Sequence, residues 1–116
     1  MNDDFPFKID TLLEQCGGNR DIGKVILDEF LIQVADDIRE IETCIARDDL
    51  VQVGKAAHRL KGTAGVLGAT KLYTLCQTIE TAGREGNAEE FAKTYSEFKA
   101  EIDRCVAAVP EAREGL

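Results

Sequence analysis

Apolar residues recur along this chain at steps of three and four, and no run alternates at a step of two, so helices are expected throughout and strands nowhere. A short first helix is predicted over about residues 7–16, stopped by the Gly17-Gly18 pair. Asn19 or Asp21 then caps a long second helix that reaches about Arg47 and carries Leu27, Leu31, Val34, Ile38, Ile41 and Ile45 as one stripe. Asp49 followed by Gln52 resembles a capping box and opens a third helix with Leu50, Val53, Ala57, Leu60, Ala64 and Leu67 inward. Gly68 ends it. Thr70 starts a fourth helix, which turns Leu72, Leu75, Cys76 and Ile79 to the core and closes at Gly86. A second capping-box pair, Asn87 and Glu90, leads into a fifth helix lined by Phe91, Tyr95, Phe98, Ile102, Val106 and Val109. From Pro110 onward the polar tail, residues 110–116, is expected to fray.

Short connections between long helices make sequential helices antiparallel neighbours. The expected fold is therefore all-α: an up-down-up-down four-helix bundle with a short extra N-terminal helix over one end. At 116 residues the chain reads as one domain with an ordered core over about 7–109, large enough to bury that core without metal or disulfide.

Charge narrows the partners. A net charge of −8, from 14 basic and 22 acidic residues, argues against nucleic acid and against an anionic membrane surface. No stretch approaches the roughly 20 apolar residues of a membrane span. The start Met1, Asn2, Asp3, Asp4 also lacks the basic beginning of a secretory signal, so a cytoplasmic location is expected. Cys16, Cys44, Cys76 and Cys105 are far apart, form no C-x-x-C pair and fall on or beside apolar stripes, which reads as reduced, buried small hydrophobes. The charge is also lopsided: residues 50–79 contain no Asp or Glu but hold Lys55, Arg59, Lys61 and Lys71. That local positive field suits an anionic group arriving on one face.

Inside this window lies the only histidine. His58 follows the core position Ala57 and is thus rotated about 100° from the stripe, toward solvent. Lys61 lies one turn on, where its charge would meet an anion on the ring. Gly62 and Gly65, at i+4 and i+7, share the face of His58, and each costs about 1 kcal/mol relative to alanine in a helix. Access for something large explains them; close packing between helices is the rival explanation. Gly54, at i−4, is expected to bare the other side of the histidine. With no second histidine and no acid within a turn, no metal site is expected. Counting from the turn at Gly68, His58 and Glu80 both lie roughly 15–18 Å along adjacent antiparallel helices, so Glu80 is level with the imidazole and placed to accept from its Nδ1–H. Nε2 would then be the free nucleophile.

The segment His58, Lys61, Gly62, Thr63, Gly65 and Gly68 resembles the signature of histidine-containing phosphotransfer (HPt) domains, and the helical reading of about residues 9–109 resembles that family's bundle. The resemblance implies that His58 accepts a phosphoryl group from an aspartyl phosphate on a receiver domain and passes it to another receiver aspartate. It supports Lys61 and Glu80 as participants, with Gly62 and Gly65 on the approach face and Arg84 at a position that is basic in some relatives. It further implies a monomeric carrier in a multistep phosphorelay, served by a hybrid sensor kinase. Such a carrier has no ATP-binding or kinase activity and no cofactor of its own, Mg²⁺ belonging to the receiver. In view of the family, the first helix around Leu12 and Leu13 is expected to share in docking. A start at Met1 and an end soon after the fifth helix favour a free-standing carrier over a histidine-bearing domain of a chemotaxis-type kinase. A non-catalytic helical adaptor is the alternative from a different class.

Overall fold

The computed structural model describes residues 4–116; residues 1–3, on which part of the expectation of no secretory signal rested, lie outside them. Among the described residues five helices follow one another: α1 (Ile9–Gln15), α2 (Arg20–Ala46), α3 (Leu50–Leu67), α4 (Thr70–Glu85) and α5 (Ala88–Glu114). No strand occurs among the described residues. The long helices form an antiparallel bundle 41 Å in its longest dimension, with α3 and α4 the most closely packed pair and α1 set against α3 and α2.

Local chemistry accounts for the boundaries. Asn19, not Asp21, caps α2 by accepting from the Ile22 N–H, and Asp49 and Asn87 do the same for Gln52 and Glu90 at the starts of α3 and α5. Gly68 and Gly86 end α3 and α4 in the left-handed region, with φ of 66° and 67°, where a side chain would be strained. Thr70 is the first residue of α4 but not its cap; Ala69 holds that place without a side-chain acceptor.

Leu27, Val34 and Ile41 of α2, Leu60 and Leu67 of α3, Ile79 of α4 and Phe98 of α5 meet in one core. The seam of α2 departs from the expected stripe. Ile45 is exposed and Leu31 and Ile38 are only half-buried, while Phe30, Asp37 and Cys44 turn inward. Sequence periodicity locates an apolar face but not its centre, which the neighbouring helices decide. Asp37 is tolerated there because Arg59 Nη2 of α3 and Gln33 Nε2 donate to it at 3.2 and 3.3 Å. Glu101, equally buried, accepts two hydrogen bonds from Arg104.

The expected fraying beyond Pro110 does not occur: α5 continues through the proline to Glu114. Pro110 has no N–H to donate one turn back, a loss of about 3 kcal/mol in a helix interior. Docking of the last turns offsets it. Val109 and Ala112 are buried, Arg113 Nη1 donates to the Lys24 carbonyl at 3.2 Å and lies 3.2 Å from Asp28, and Leu116 lies against Gly23.

Candidate functional site

His58 stands on the exposed side of α3 with 66 % of its side chain open to solvent. Its Nδ1 lies 2.9 Å from Glu80 Oε1 on α4. A carboxylate can only accept, so Nδ1 carries the proton, and in the neutral ring the lone pair then sits on Nε2. The level placement expected from counting residues out of the Gly68 turn is what the antiparallel pair delivers.

Glu80 is itself largely buried, and its other oxygen has a partner: Lys61 Nζ comes within 2.8 Å of Oε2, as a charge contact rather than an aligned hydrogen bond. Contact with Lys61 is the largest influence on this carboxyl and, together with the His58 N–H, it outweighs the opposing effect of burial. The Glu80 pKa is thereby held below its ordinary value. Lys61, expected to reach outward to an anion on the ring, is thus drawn to the carboxylate beneath it.

The local positive field read from residues 50–79 is weaker than the sequence suggests. Lys61 is paired with Glu80, Arg59 with Asp37 and Glu40, and Lys71 with Glu97 at 3.8 Å. These acids arrive from α2, α4 and α5, outside the acid-free window. Among the described residues no ion pair forms to Lys55 or Arg84, and both line an open groove of about 500 Å³ with Val51, Gly54, Arg59 and Glu80 around His58. Arg84 is therefore beside the site, on the same groove as the imidazole.

The glycines divide by role. A Cβ at Gly62 would meet nothing within 4 Å, and one at Gly65 would rest on the Tyr73 ring at 3.7 Å, an ordinary contact. Neither is a close-packing site between helices, and the face beside His58 is open. Gly54, expected to bare the other side of the histidine, is instead buried against α4: a Cβ there would lie 3.2 Å from the Glu80 carbonyl and 3.2 Å from Gly83 Cα. Gly83 escaped the sequence reading altogether. Its position three residues after Glu80 was the available signal. Leu12, suggested for docking, is fully buried, and its neighbour Leu13 is half-buried, so α1 offers less apolar surface than expected.

Among the described residues no three His, Cys, Asp or Glu side chains converge where a metal ion could sit, and the four cysteines are free. Among the described residues no helix is long and apolar enough to cross a membrane.

The family model described as "Hpt domain" matches residues 25–111. Among curated proteins the chain is 29 % identical over 85 residues to the phosphorelay intermediate protein YPD1 of Candida albicans, covering 73 % of this chain and 45 % of that one. It is 30 % identical over 73 residues to phosphotransferase RcsD of Escherichia coli, covering 63 % of this chain and 8 % of that one. Multistep phosphorelay regulator 1 of Schizosaccharomyces pombe is 28 % identical over 89 residues, 76 % of this chain and 30 % of its own length. The chain thus spans less than half the length of these curated relatives. The fold is similar to that of histidine-containing phosphotransfer protein B from Pseudomonas aeruginosa PAO1, with a TM-score of 0.85, 19 % identity and 96 % of each chain covered. It is likewise similar to the HPT domain of a sensor hybrid histidine kinase from Shewanella, at a TM-score of 0.83, 21 % identity and 97 % of each chain.

Proposed function

The chain belongs to the Hpt domain family, and from that premise we propose that His58 is the phosphoryl acceptor of a multistep phosphorelay, taking the group from a receiver aspartyl phosphate and yielding it to another. The observation that carries this reading is the exposed His58 side chain, whose Nδ1–H is held by Glu80.

The Nε2 lone pair forms the N–P bond as the P–O bond to the receiver aspartate breaks, and the carboxylate leaves with its electron pair. No proton need move. The Nδ1–H keeps donating to Glu80, whose negative charge faces the ring as it becomes cationic on phosphorylation. The reverse step reuses the same contacts, so one site serves donor and acceptor. Lys61 supplies positive charge at the base of the site, and Arg84 and Lys55 supply it along the groove; Gly62 and Gly65 keep the approach clear. Mg²⁺ belongs to the receiver in this scheme. The partners are receiver domains and a hybrid sensor kinase upstream. The protein acts as a monomer in the cytoplasm, without kinase or ATP-binding activity of its own, and a reducing compartment suits its free thiols.

Incubation with a phosphorylated receiver tests the proposal. Wild type should become labelled and His58→Gln should not; equal labelling of both overturns the assignment.

A further inference from the structure

α3 and α4 touch backbone to backbone where Gly54 meets Gly83, one turn away from both members of the His58–Glu80 pair. Gly54 lies four residues before His58 and Gly83 three residues after Glu80. A Cβ on Gly83 would lie 2.7 Å from Gly54 Cα, 2.7 Å from the Leu50 carbonyl oxygen and 2.9 Å from Gly54 N. All three are backbone atoms of α3, so no rotamer change can relieve the clash. The crossing differs in kind from Gly62, where a Cβ meets only open space.

From this geometry we infer that Gly83 is a positioning residue for His58: its bare contact with Gly54 sets the separation of α3 and α4 at which Glu80 reaches Nδ1. The inference rests on the reading of His58 as phosphoryl acceptor, to which it adds the device that holds the ring's orientation. An alanine at 83 falls short of ordinary contact by about 0.7 Å, so α4 must move outward by a comparable amount. A hydrogen bond of 2.9 Å stretched that far passes beyond about 3.5 Å and is lost. Glu80 cannot simply follow by extending, because Lys61 draws on its second oxygen.

The test is ¹⁵N NMR of the His58 ring in the unphosphorylated protein, with Glu80→Ala marking the tautomer distribution of an unheld imidazole. Wild type should show the proton on Nδ1; Gly83→Ala should shift most of the population to the Glu80→Ala distribution. Its transfer rate should fall on the order of 10- to 100-fold, as displacement of a reacting group by less than an ångström requires. A folded Gly83→Ala protein with the wild-type tautomer overturns the inference. Gly54→Ala, whose added Cβ meets atoms at 3.2 Å, is the milder variant should Gly83→Ala fail to fold. It should shift the tautomer partway, and a folded Gly54→Ala with an unmoved tautomer also counts against the inference. The tautomer is read without phosphate, so failure of wild type to accept a phosphoryl group would sink the proposed function separately.

Discussion

Lys61 Nζ lies 2.8 Å from Glu80 Oε2, so Lys61 is held by the same carboxylate that orients the His58 ring. The three side chains are coupled: changing one alters the charge and position of the other two.

Glu80→Gln keeps an oxygen that can accept from Nδ1–H but removes the charge that faces the ring and holds Lys61. Glu80→Ala removes both. Transfer from a phosphorylated receiver is expected to fall by several-fold in the first variant and by roughly 10- to 100-fold in the second, measured as single-turnover labelling rates. Equal rates in both variants would mean that the contact to Nδ1 has no part in transfer.

Acid titration reads the same unit. The Glu80 pKa is lowered in the folded protein, so its stabilising contribution is complete above the ordinary carboxyl value of 4.5 and disappears only as pH falls through the lower folded value. Carboxyl ¹³C shifts should place the Glu80 midpoint below 4.5 in wild type and higher in Lys61→Ala, since contact with Lys61 is the main cause of the lowering. An unchanged midpoint in Lys61→Ala would refute the coupling.

Burial pushes the Cys76 and Cys105 thiols up to about 12. They should resist a thiol-disulfide reagent at pH 8 in the native state, while half-buried Cys16 reacts; all four should react in denaturant. Between about pH 9 and pH 12 the unfolded chain has lost these two protons and the folded chain keeps them, so stability falls as pH rises across that window. The slope is at most about 1.4 kcal/mol per pH unit for each thiol. Urea midpoints at a series of pH values measure it, and Cys76→Ala should flatten it.

Asp37→Ala leaves Arg59 without its buried acceptor and deprives Gln33 Nε2 of a partner. A loss of about 1–3 kcal/mol in urea unfolding is expected. His58 should remain open and competent, because the contacts of Asp37 are with Arg59 and Gln33, and neither is the group that holds the His58 ring.

Pro110→Ala restores a backbone donor inside α5 without disturbing a buried side chain, since Pro110 is exposed. Stability should rise by about 1–3 kcal/mol, seen as a higher urea midpoint at unchanged slope. A decrease would mean that the proline's rigidity contributes more than the missing hydrogen bond.

What could be read without coordinates was what acts over one or two turns. The caps at Asn19, Asp49 and Asn87, the stops at Gly68 and Gly86 and the spacing of His58 and Lys61 are local, and their outcome follows from side chains three or four residues apart. Glu80 could be located because helix rise is constant, so counting back and forward from one turn sets two residues level. The Gly54 expectation failed because a surface face and a helix-crossing face are both free of bulk in sequence. The extra turn beyond Pro110 escaped notice because Arg113 and Leu116 find their partners at Lys24, Asp28 and Gly23, at the far end of the chain.

By itself, then, the order of residues determined five amphipathic helices, the ends of all but the last and a lone outward histidine, because periodicity, capping and turn chemistry are properties of neighbours along the chain. Only tertiary packing decided which helices meet without side chains between them, which cations are neutralised from other helices, and that Glu80 serves both His58 and Lys61. Those outcomes depend on interhelical separation, and a few tenths of an ångström there is set by the packing of many side chains at once.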